Sequence, residues 1–104
     1  MTIVWSKKAL SKLNATADYI AEEFGANRAA RFLRDAMKMV AMLEQFPENG
    51  QVEMLLKGTK YQYRHLVISK QSKLIYRIDK SKVRVVDFWP TKQNPAVLTS
   101  GFPK

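Results

Sequence analysis

Between Tyr63 and Phe88 the chain reads YRHLVISKQSKLIYRIDKSKVRVVDF. Three runs rich in Val, Ile, Leu and Tyr (Tyr63–Ser69, Leu74–Ile78 and Val83–Phe88) are separated by Lys70-Gln71-Ser72 and Asp79-Lys80-Ser81-Lys82. β-Branched and aromatic residues suit a pleated surface, and breaks this short suit hairpins, so the stretch predicts three antiparallel strands. Alternation sorts their faces. Leu74, Tyr76 and Ile78 share one side, and Lys73, Ile75 and Arg77 the other. In the last strand Val83 and Val85 oppose Arg84, Val86 and Phe88. The Leu74/Tyr76/Ile78 side is the natural floor for packed helices. The other side is expected to be an open basic face carrying Lys73, Arg77 and Arg84, joined by Arg64. In the first strand both alternating sets are mostly apolar, which leaves its phase open.

The elements that cover this floor lie upstream. Thr2–Trp5 reads as a short strand, and Ser6 is placed to cap a following helix. Leu10, Leu13, Ala17, Ile20 and Phe24 then recur at steps of three and four, the stripe of an amphipathic helix. Gly25 suits a helix end, and Asn27 is a candidate cap for the next. A second stripe, Ala29, Leu33, Ala36, Val40 and Leu43, predicts a helix from about Arg28 to Gln45, stopped by Pro47 and Gly50. The short break between the two implies an antiparallel hairpin. The expected fold is α+β in the order β-α-α-β-β-β, with both helices on one sheet face. Pro90 and Pro95 end the regular pairing, and residues 96–104 read as a C-terminal tail.

Composition limits the chemistry. At 104 residues the chain is expected to be a single domain over residues 1–104, since a second core needs about 50 residues of its own. A hydrophobic fraction of 46% excludes wholesale disorder. With no cysteine and only His65, disulfides, thiol catalysis and a multi-His metal site are excluded. No metal or small-molecule cofactor is expected, because no metal motif or phosphate-cradling glycine loop is present. Nothing approaches a membrane span of about 18 apolar residues, and Met1–Lys8 does not read as a signal peptide, so a cytoplasmic protein is expected. The net charge of +9 is unevenly spread: residues 1–50 carry +1 and residues 51–104 carry +8. A polyanionic or acidic partner is the natural reading of that asymmetry.

Two chemistries survive. One is phosphodiester cleavage in which Lys and Arg stabilise charge on the phosphate, for which Arg64, Lys73 and Lys92 are the candidates. The other is binding alone, through Lys57, Lys60, Arg77 and Arg84 with aromatic stacking by Trp89. His65 is the only side chain whose ordinary titration lies near neutrality. Because it alternates with Arg64, an outward Arg64 would turn it toward the helices.

Several stretches together resemble the RelE/ParE superfamily of bacterial toxins. They are Trp5-Ser6-x-x-Ala9-Leu10-x-x-Leu13, Tyr19-Ile20, Phe46-Pro47-x-x-Gly50, Tyr63-Arg64-x-Leu66, Lys73-Leu74-Ile75-Tyr76-Arg77 and Thr91-Lys92-Gln93-Asn94-Pro95. The resemblance implies the toxin of a type II toxin–antitoxin, plasmid-stabilising module, neutralised by a cognate acidic antitoxin. It implies one of two targets: ribosome-bound messenger RNA, which nuclease members cleave, or DNA gyrase, which the ParE-like branch inhibits without cleavage. The third alternative is a non-toxic binding module on the same fold. Carried over, Arg64, Lys73 and Lys92 fall at or near basic positions of the nucleases, and the charge asymmetry tilts the expectation slightly toward RNA. Leu66 stands where those nucleases have a further lysine, and their tyrosine beyond the last strand has no counterpart. The resemblance thus supplies a phosphate-binding surface without a general base.

Overall fold

Ser6 joins the first strand to the first helix and serves both. Its Oγ accepts the Ala9 N–H at 3.0 Å, capping α1 (Lys7–Phe24), and donates to the Val86 carbonyl at 3.1 Å. The computed structural model describes residues 1–70, 72–90 and 94–104. In it β1 (Thr2–Trp5) is followed by α1, α2 (Ala26–Ala41), β2 (Gln51–Val52), β3 (Arg64–Ser69), β4 (Ser72–Asp79), β5 (Lys82–Pro90) and α3 (Pro95–Thr99). The strands form one mixed sheet in the order β1-β5-β4-β3-β2, with β1 parallel to β5 and the other pairs antiparallel. The α+β order read from the sequence is present, with the two-residue edge strand β2 added.

The helical hairpin closes more tightly than expected. Gly25 alone links the helices at φ +99°, a conformation that costs glycine little, so Asn27 lies inside α2 and caps nothing. Ala9, Leu13, Ala36, Val40 and Leu43 pack on Leu66, Leu74, Tyr76, Val83, Val85 and Phe88 in the main core.

Phe88 in that core is a correction. Simple alternation puts it on the outer side with Arg84 and Val86. The β4–β5 register, however, pairs Ile75 with Asp87 and Tyr76 with Val85, leaving Val86 as a bulge. One extra residue inverts the facing of everything after it, so Phe88 turns to the helices while Val86, Asp87 and Trp89 take the other side.

Tyr76 explains the Phe46-Pro47-x-x-Gly50 motif. Its hydroxyl donates to the Pro47 carbonyl at 2.7 Å and accepts the Gly50 N–H at 2.9 Å. A Cβ on Gly50 would lie 2.6 Å from both the Tyr76 hydroxyl and the His65 carbonyl, so only glycine lets the chain pass here.

Candidate target-binding face

The outer sheet face is not open. Ile75 and Trp89 form a second core there with Leu56, Tyr63 and Leu98, flanked by Tyr61, Val86 and Phe102. The loop after β2 and the segment beginning at α3 supply this cover. Residues 96–104 therefore do more than trail: Leu98 is buried, Phe102 meets Tyr63 and Trp89 edge-on, and Lys60 N–H donates to Pro103 at 2.8 Å. The expected half-open basic sheet is overturned, because apolar Ile75, Val86 and Trp89 on that face require burial.

The basic side chains thread through this cover and are paired within it. Glu53, 4% exposed, accepts the Leu55 N–H with one carboxylate oxygen. Its other oxygen meets the Lys73 ammonium and lies 3.2 Å from His65 Nδ1. Burial pushes the Glu53 carboxyl up, but Lys73 and the Leu55 N–H outweigh it and hold it below its ordinary value. Arg77 lies 3.9 Å over the Tyr61 ring and 3.8 Å from Asp79, while Arg84 donates to Asp79 at 2.7 Å.

Arg64 does not join them. The register pairs Arg64 with Tyr76 and His65 with Ile75, which settles the phase that the sequence leaves open in β3 and takes Arg64 off the outer face where it was expected. Arg64 lies on the Tyr76 side and donates to the Gly50 carbonyl at 2.8 Å, whereas His65 shares the outer side with Lys73. Burying Leu66 against Leu74 selects this phase. Trp89 is also corrected as a stacking residue: it is 0% exposed, and its indole N–H is bonded to Asp87. Lys57 and Lys60 are exposed on the loop, with Lys60 5.3 Å over Tyr61. Lys92 lies outside the described residues.

The family model described as the ParE toxin of the type II toxin–antitoxin system parDE matches residues 3–95. The chain belongs to the ParE toxin family. Its fold is similar to that of a solved chromosomal ParDE TA system from P. aeruginosa, with a TM-score of 0.72 over 88% of this chain and 97% of that one. At 18% identity this likeness is one of fold. No curated protein sequence matches the chain.

In this ParE-family chain, sequence reasoning missed the acidic side of the site. Asp87 is 1% exposed and receives the Lys12 ammonium at 2.8 Å, Lys8 at 3.2 Å, the Trp89 indole at 2.9 Å and the Phe88 N–H at 2.8 Å. Burial raises its carboxyl, and these donors, Lys12 foremost, bring it below the ordinary range. A signal was available: Glu53, Asp79 and Asp87 are the only acids in residues 51–104, and each is ion-paired. Among the described residues no group of three His, Asp or Glu could hold a metal ion. Nor is any helix among them long and apolar enough to cross a membrane.

Proposed function

We propose that this chain is the toxin of a type II module, that it arrests growth by binding and inhibiting DNA gyrase without cleaving nucleic acid, and that an acidic antitoxin neutralises it. The observation that carries this reading is the internal pairing of the sheet cations. Lys73 is held by Glu53, and Arg77 and Arg84 share Asp79, beside an outer face covered by Leu56, Leu98 and Phe102. A nuclease of the basic-cluster type needs preorganised cations aimed at the phosphate and free to meet it. Match to the ParE family model supports the same branch. The test is purified toxin in a gyrase supercoiling assay beside a translating extract. Supercoiling should stop while message stays intact. Unimpaired supercoiling at high toxin concentration would overturn the reading.

One observation favours ribosome-dependent messenger RNA cleavage as a second reading. His65 Nδ1 lies 3.2 Å from the Glu53 carboxylate without a hydrogen bond among the described residues, which leaves a buried imidazole nitrogen unsatisfied beside an acid, a pair of the kind general acid–base catalysis uses. On that reading the extract shows cut message, and His65→Gln abolishes the cutting.

A further inference from the structure

The close passage at Gly50 sets two residues of opposite exposure side by side. Asn49 is exposed and Gly50 is buried, and theirs is the only Asn-Gly step in the chain. We propose that Asn49 is a deamidation site that the Tyr76 hydroxyl keeps closed, so that its modification records opening of residues 46–50 and then prevents them from reseating. The site bears on the lifetime of the folded toxin and is independent of which target the toxin arrests.

The chemistry needs a nucleophile and an electrophile in adjacent residues. The Gly50 amide nitrogen gives its proton to water or hydroxide and attacks the side-chain carbonyl carbon of Asn49. A C–N bond forms, the carboxamide nitrogen leaves as ammonia, and a succinimide ring joins the two residues. Water then opens the ring at either carbonyl, giving aspartate or isoaspartate, and nothing is oxidised or reduced. Glycine at the second position favours closure, because no side chain hinders the approaching nitrogen. Elsewhere such a glycine could be replaced. Here a Cβ would lie 2.6 Å from the Tyr76 hydroxyl and from the His65 carbonyl, so packing retains the step that reacts readily.

The native structure withholds the nucleophile. Gly50 N–H donates to the Tyr76 hydroxyl at 2.9 Å in a buried contact, away from the water that would take its proton. The Gly50 carbonyl accepts from Arg64 at 2.8 Å, and Asn49 N–H closes a turn on the Phe46 carbonyl at 3.0 Å. Backbone held on both sides of the Asn49–Gly50 bond cannot swing its nitrogen onto the carboxamide. Reaction therefore requires the segment to lift from Tyr76, a local opening rather than global unfolding. The product then resists reclosure. Isoaspartate routes the chain through the former side-chain carbon, adding a backbone carbon just before Gly50, where there is no room even for a Cβ.

The experiment incubates the full chain in mildly alkaline buffer and follows Asn49 by peptide mapping in a mass spectrometer, with isoaspartyl methyltransferase labelling to mark isoaspartate. In guanidinium chloride above the unfolding midpoint, Asn49 should deamidate at least about tenfold faster than in the native chain. Native Tyr76→Phe should deamidate about tenfold faster than the parent, the gain expected when the closed form loses one buried hydrogen bond. Arg64→Gln, which releases the Gly50 carbonyl, should also accelerate the reaction and supplies the readout should Tyr76→Phe not fold. Phe102→Ala loosens the cover on the other sheet face, leaves the Gly50 contact intact and should keep the parent rate. The isolated isoaspartate form should unfold at lower denaturant than the unmodified chain. Equal rates in folded and unfolded parent, no gain in either Tyr76→Phe or Arg64→Gln, an equal gain in Phe102→Ala, or an isoaspartate form as stable as the parent would overturn the proposal.

Discussion

Tyr76 and Gly50 show how one contact can hold two parts of a chain together. The hydroxyl of Tyr76 satisfies the Gly50 N–H and the Pro47 carbonyl, tying the segment after α2 to the middle of the sheet. Burial raises the Tyr76 pKa, so the hydroxyl remains a neutral donor and acceptor. Tyr76→Phe keeps the ring and removes both bonds. The loss leaves buried groups unpaired and should cost about 1–3 kcal/mol in a urea unfolding titration. Gly50→Ala should be at least as damaging, because the added carbon meets backbone at 2.6 Å. An unchanged unfolding midpoint in both variants would contradict this account of the Phe46-Pro47-x-x-Gly50 motif. At this scale the sequence marked the residue types but not their partners: Gly50 and Tyr76 lie 26 positions apart, and nothing in spacing links them.

At the scale of elements, β-strand alternation was legible except where two local features broke it. The strands, the helical stripes and the cap at Ser6 all follow from residue pattern, because each depends on neighbours within a few positions. The bulge at Val86 does not, since it is set by how β5 must register against β4 while Phe88 packs under the helices. The phase of β3 was open for a similar reason: two nearly equal apolar sets compete, and contact with Leu74 chooses between them. The C-terminal element is the third case. Read alone, Pro95–Thr99 is too short to be a stable helix, and it is held by burial of Leu98 and by Phe102 against Tyr63 and Trp89. Phe102→Ala should loosen it. Hydrogen exchange of the amides from Ala96 to Lys104 should accelerate while those of α1 and α2 keep their protection. Uniform exchange across the chain would show that the segment is not a separable cover.

For the whole molecule, the +9 charge divides into cations already paired and cations still free. Glu53 and Asp87 are buried carboxylates held below their ordinary values, each by two or more donors. A depressed carboxyl stabilises the fold fully above its unfolded pKa, and that contribution disappears as pH falls through the lower folded pKa. Glu53→Gln combined with Asp87→Asn should therefore be clearly destabilised at neutral pH, by about 3 kcal/mol or more, since cations lose their buried partners. The gap from the parent should narrow as pH drops below about 4, where the parent's carboxylates begin to protonate. Thermal unfolding of both proteins across that range measures it, and a gap constant with pH would refute the assigned roles.

The residue sequence alone determined the fold class, the helical hairpin and the three principal strands, because periodicity, caps and hairpin breaks act over short distances. It also located the charge excess in the half that builds the sheet. Tertiary structure alone decided which way that charge faces. Arg64 turned inward, His65 turned outward, Trp89 was buried, and three acids scattered along 35 positions each captured cations from other strands or from α1. Burial of apolar side chains sets strand register, and register then carries every polar neighbour to its face whether or not its own sequence context favours that side.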